Sequence, residues 1–223
     1  MKKCNLPTRK ECFDIIKEYH VPLHILNHSL AVAKLAGFLA ERLREKAVAV
    51  DVNLVDRACL LHDTARVCDF ERLDYSRFKQ TVTEQDKAKW RQIRAKYKGI
   101  RHEDAAYEIF KEKYPVLALT IKRHKYTAML NKQTRPNTWE EKIVYYSDMR
   151  VMHEAIVPLK SRLEDGHKRN AFLHCSYLQG KINTDKIDLL IYRLEEEIFA
   201  KVGLDPLKVT DEFVDSYIRA PCN

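Results

Sequence analysis

At 223 residues the chain is long enough to bury a sizeable core, and its five glycines and seven prolines are too few for a turn-rich all-β fold. The formal charge of +8 favours anionic partners, among them nucleotides, nucleic acids and phosphate esters. Six cysteines scattered without CxxC spacing read as free thiols and argue against a disulfide framework.

Thr8 to Glu11 has capping-box spacing and opens a first amphipathic helix with Cys12, Ile15, Ile16 and Tyr19 on one side. Pro22 starts a second, long helix that the pattern carries to about Val50, with Val32, Leu35, Ala36 and Leu39 facing inward. Asp51 and Asn53 can cap a third, which carries Val55, Ala58, Leu61 and His62. Residues 71–100 are dense in charge, with Phe78 and Trp90 as anchors, and are expected to form solvated helices that could act as a lid. Gly99 breaks the pattern, and further helices are expected near His102, Val116 and Thr138, punctuated by Pro115 and Pro136. Beyond Met152 the sequence predicts a helix through Leu163 and a loop around Gly166 to Gly180. An amphipathic helix from Asp185 to Lys201 follows, stopped by Gly203. The basic N-terminus has no apolar stretch behind it, and no uninterrupted apolar run is long enough to cross a bilayer, so a cytoplasmic protein without a membrane partner is expected.

Certain polar residues fall where a core-facing residue should be. His28 is in line with Val32, Leu35 and Leu39, and His62 with Val55 and Ala58. His102 precedes Ala105, Ala106 and Ile109 on one face, and His124 follows Leu117, Thr120 and Ile121. Asp148 lies among Val144, Tyr145, Val151 and Met152. A single buried histidine is usually a satisfied core residue. Several imidazoles and carboxylates buried together cost kilocalories unless paired or bound to a cation, and they are the ligands that Fe, Mn, Co, Ni and Zn take. Adjacent His62 and Asp63 diverge by about 100 degrees on a helix, so they reach one metal only near a helix end or share a two-metal centre.

These residues give the chain a resemblance to the HD superfamily of metal-dependent phosphohydrolases. The signature is His28 within Asn27-His28-Ser29-Leu30, the doublet within Leu61-His62-Asp63-Thr64, and Asp148 within Tyr146-Ser147-Asp148. His102 and His124 between doublet and final Asp resemble the subset with two metals, which includes the bacterial HD hydrolases of diadenosine tetraphosphate. The resemblance spans about His24 to Arg150 and departs from those hydrolases in the charged insertion and the C-terminal extension. It implies an all-α, HD-type helical bundle over residues 1–150, with 151–223 as a helical extension packed on the same domain. It also implies a divalent transition metal centre of about two ions, Fe or Mn ahead of Ni, Co and Zn, held by His28, His62, Asp63, His102, His124 and Asp148. Asp63 would bridge the ions.

The expected activity is hydrolysis of a small anionic phosphorylated substrate, most plausibly a nucleotide, by metal-activated water, with Asp63 and Arg66 as catalytic residues. Arg66, one turn beyond His62, is the first choice to meet the phosphate, followed by Lys125 and Arg150. The competing reading is an HD-fold module that binds a nucleotide or nucleic acid without turnover. Its motive is the basic segment Lys87 to Lys98 with interleaved Trp90 and Tyr97. His24 is expected in supporting or packing roles, and His20, His153, His167 and His174 at the surface or in packing. Cys59 and Cys175 have no convincing base and are not expected to be nucleophiles.

Overall fold

The structure, a computed structural model, describes residues 5–78, 80–177 and 183–219, with the side chains of Arg77 and residues 170–177 excepted. Cys4 and Cys222, and the side chains of His174 and Cys175, lie outside this set.

The molecule is an all-α bundle with one short hairpin among the described residues. Helix α1 (Arg9–Glu18) starts at Thr8, whose hydroxyl accepts from the Glu11 amide while Glu11 accepts from the Thr8 amide, the reciprocal capping box foreseen from the sequence. Helix α2 (Leu23–Glu45) is the central element. It buries Val32, Leu35, Leu39 and Leu43 completely against α3 (Val52–Leu61) and α7 (Trp139–Asp148). By length and composition α2 alone among the described helices is apolar enough to cross a membrane, and here 56% of that stretch is buried inside the protein. It ends five residues before the expected Val50: Ala47 takes a left-handed φ of 57° and turns the chain toward Asp51. Asp51 then caps α3 through the amides of Asn53 and Leu54.

Helices α4 (Glu84–Lys96), α5 (His102–Phe110) and α6 (Pro115–Lys122) complete the first part of the bundle. The charged segment is not the solvated lid the sequence suggested. Trp90, Ile93 and Tyr97 on α4 pack with Ala65, Val67 and Ala105 into a second, smaller core, and the Trp90 indole N–H donates to the His20 carbonyl. Trp90 and Tyr97 are buried, so the rings that motivated base stacking are already in use.

The chain beyond α7 differs most from expectation. A two-stranded antiparallel hairpin, β1 (Val151–Met152) and β2 (Ala155–Ile156), precedes α8 (Leu159–Tyr177). That helix runs to Tyr177 through residues expected as a loop, because only Gly166 interrupts an otherwise helix-forming sequence, and the end of the expected loop, 178–180, lies outside the described residues. Helix α9 (Thr184–Val202) ends at Gly203, whose φ of 74° requires glycine or its equivalent. A last helix, α10 (Asp211–Arg219), was not foreseen and packs on α2.

Candidate metal centre

The six expected ligands converge, and all but His28 lie at helix ends. His62 and Asp63 follow the last residue of α3, so the doublet sits where the helix unwinds into a turn and both side chains reach one space. His124 is two residues past α6 and Asp148 is the last residue of α7. Three helix C-termini thus meet at the site, and the partial negative charge of their free carbonyls favours a cation. Two of those carbonyls also fix ring orientation. His62 Nδ1 donates to Cys59 O at 2.7 Å and His124 Nδ1 donates to Ile121 O, which turns both Nε2 atoms inward. His28 is held from the far side. Its Nδ1 lies 2.9 Å from the carbonyl of His153, a residue at φ 58° in the hairpin turn, and its Nε2 lies 2.9 Å from Asp148 Oδ1.

His62 Nε2 is buried and has no hydrogen-bond partner, an unpaired lone pair at the middle of the cluster. It lies 3.6 Å from Asp63 Oδ2 and 3.7 Å from Asp148 Oδ1. The other Asp63 oxygen lies 3.1 Å from His102 Nε2, which is 3.1 Å from His124 Nε2. Ligands about 2.1 Å from one ion stand about 3–4 Å from each other, so all four separations are compatible with a shared cation, and the two at His62 Nε2 are too long for direct hydrogen bonds. Ligand atoms within 4.8 Å of one another include the sets His28, His62, Asp63; His62, His124, Asp148; and Asp63, His102, His124. Asp63 belongs to sets on both sides, each of its oxygens facing a different histidine. The donor set fits a metal, and His with carboxylate admits several first-row ions.

The charges are tightly balanced. Burial works against ionising Asp63, yet His62, Arg66 and His102 hold its carboxyl well below the usual range. Burial likewise opposes ionisation of Asp148, and His28 and His62 keep it ionised. Burial pushes the His124 imidazolium down to about 4, helped by His62 and His102, so that ring is a neutral donor at physiological pH. At His102 burial and Arg66 disfavour the charged ring, but Glu103 and Asp63 outweigh them and raise it to about 9.

Asp69 and Glu103 are functional neighbours that the sequence reading missed. Asp69 accepts from His102 Nδ1 at 2.5 Å and from the His102 amide at 3.1 Å, so one carboxylate both orients the ring and caps α5. Glu103 Oε2 is buried 3.3 Å from the same Nδ1. The only sequence signal was their adjacency to Arg66 and His102. Arg66 stands beside the cluster, its Nη1 2.8 and 3.1 Å from the two His102 ring nitrogens, with 32% of the side chain exposed. Lys125, next to His124 in the chain, lies 3.1 Å from Asp104, an acid it shares with Lys122. Arg150 is turned away altogether. It is 1% exposed and donates to Val157 O, Tyr146 Oη, Pro206 O and Val209 O, so it ties the C-terminal segment to α7 and cannot meet a substrate. His24 packs against Phe78 and Phe70 behind the site.

A family model described as HD domain matches residues 25–150, more than half of the chain. Ribonuclease Y of Enterococcus faecalis is 52% identical over 48 residues, and Ribonuclease Y of Listeria innocua is identical to the same extent. Those 48 residues are 22% of this chain and 8% of either relative, so the similarity covers a small part of both curated relatives. No solved structure matches the chain.

Proposed function

The chain belongs to the HD-domain family of metal-dependent phosphohydrolases, and from that premise we propose that it hydrolyses a phosphoester or phosphoanhydride bond in a small phosphorylated substrate, most plausibly a nucleotide. The observation that carries this reading is the unpartnered Nε2 of buried His62, aimed with Asp63 and Asp148 at a common space. His28, His62, Asp63 and Asp148 would hold one ion, and Asp63, His102 and His124 a second. When bound, such ions polarise the phosphoryl group and bring the pKa of water near neutrality.

The protein's own residues do the rest. Cys59 O and Ile121 O hold His62 and His124 in the tautomer that presents Nε2, and Asp69 does the same for His102. Arg66, partly exposed beside the acidic cluster, supplies positive charge where phosphate oxygens would arrive. The ring of helix ends keeps the cluster nearly dry, which strengthens each of these charges.

The similarity to Ribonuclease Y favours a second reading in which the scissile bond is an RNA phosphodiester. One panel separates the two: nucleoside phosphates, dinucleoside polyphosphates, cyclic nucleotides and a short single-stranded RNA, each with Mn or Fe. Release of phosphate or nucleotide from the small substrates, lowered about a hundredfold or more in His62→Ala, supports the main reading. Cleavage of RNA alone supports the second. Tight binding without turnover of anything would replace both with a binding module.

A further inference from the structure

Arg162 is a half-buried charge that makes no ion pair among the described residues, since Asp165, one turn on, is bonded to Arg169. It sits in the first turn of α8, directly after the hairpin whose turn holds His28. Its Nε donates to Val151 O at 2.8 Å, three residues beyond Asp148. Among the described residues no carboxylate comes within ion-pair distance of its guanidinium, and neither terminal nitrogen has a hydrogen-bond partner. Other inward-facing arginines are satisfied differently: Arg123 grips both oxygens of Glu141, and Arg150 spends its nitrogens on carbonyls and Tyr146. The fork is half-buried and bonded through Nε alone among the described residues, so its terminal nitrogens are open to an anion that arrives from outside.

The surroundings say where that anion belongs. The bond to Val151 O, three residues beyond Asp148, and the hairpin carbonyl that holds His28 set the Arg162 guanidinium on the Asp148 side of the cluster, and the Asp148 and Arg66 charges both act on it there. Four residues on in α8 stands Gly166, in the interior of a helix where alanine is intrinsically favoured. A Cβ at that position would lie 3.3 Å from Arg162 Nη1, and glycine leaves the guanidinium room to move.

We propose that Arg162 is a phosphate-binding residue of the same centre, meeting the substrate's phosphoryl oxygens from the Asp148 side while Arg66 meets them from the His102 side. The inference rests on the phosphohydrolase reading and assigns a substrate contact to the helix beyond the HD match. It gives a reason for a glycine at position 166 inside a helix, and for a charge held by Nε alone with its fork free for bidentate contact.

The test is calorimetric titration of inorganic phosphate into the metal-loaded full chain, as wild type, Arg162→Gln, Arg162→Lys and Gly166→Ala, with metal content measured on each. Arg162→Gln is expected to keep its metal and to bind phosphate about ten- to a hundredfold more weakly, as for loss of a charged hydrogen bond. Arg162→Lys should recover part of that loss. Gly166→Ala, whose Cβ would press on Nη1, should bind phosphate less well. Equal phosphate affinity in wild type and Arg162→Gln, with metal retained, overturns the inference. A wild type that takes up no metal would sink the hydrolase reading instead. Phosphate titration of that metal-free protein still decides on Arg162: binding lost in Arg162→Gln upholds its role, and binding unchanged removes it.

Discussion

Asp148, the last residue of α7, shows how much a single position can reveal. A carboxylate in the same stripe as Val144 and Tyr145 contradicts the apolar pattern around it, and only a buried cation or cationic partner resolves the contradiction. His28, His62, His102 and His124 were legible for the same reason. Asp69 and Glu103 were not, because nothing in their spacing separates a carboxylate that orients His102 from one facing water. Arg150 misled for the converse reason: two residues past Asp148 the backbone has left the helix, and its side chain points into the C-terminal segment. One residue-scale prediction concerns His102. Its folded pKa of about 9 lies above the ordinary histidine value, so its contribution to metal-free stability is present in full below about pH 6.5 and is lost as pH rises through about 9. Metal requires the neutral ring. Metal uptake at pH 7 should therefore release a proton, and apparent affinity should climb with pH until about 9. Titrations in two buffers of different ionisation enthalpy measure this, and uptake without proton release would contradict it.

At the scale of elements, local signals placed most helices. The Thr8 and Thr138 capping boxes and the Gly203 stop stand where the side-chain chemistry puts them. Errors arose where tertiary contact overrode local pattern. Helix α4 has a strongly polar sequence, and its value lies in two or three large side chains that the charge density hides. Trp90 fills the small core behind the Arg66 turn and bonds the corner between α1 and α2. Trp90→Ala should cost about 3–5 kcal/mol in denaturant unfolding. An effect under about 1 kcal/mol would mean that α4 is a loosely attached lid after all.

At the scale of the whole molecule, the region beyond residue 150 is joined to the bundle by buried polar links as well as by apolar packing. Arg150 reaches carbonyls on both sides of α8 and α9, and Tyr146 bonds Glu195 on α9. The His153 carbonyl carries that continuity to the first ligand, His28. None of these links follows a period in the sequence, so the extension could be foreseen as helical but its grip on the site could not. The account depends on one physical claim, that three helix C-termini and six inward polar side chains form a cation site. Elemental analysis of tag-free protein, reconstituted with Mn or Fe and compared with Asp63→Ala, tests it most directly. The account predicts about two ions per wild-type chain and a marked loss in the variant, since Asp63 faces both histidine sets. A wild type that holds no metal after reconstitution would contradict it.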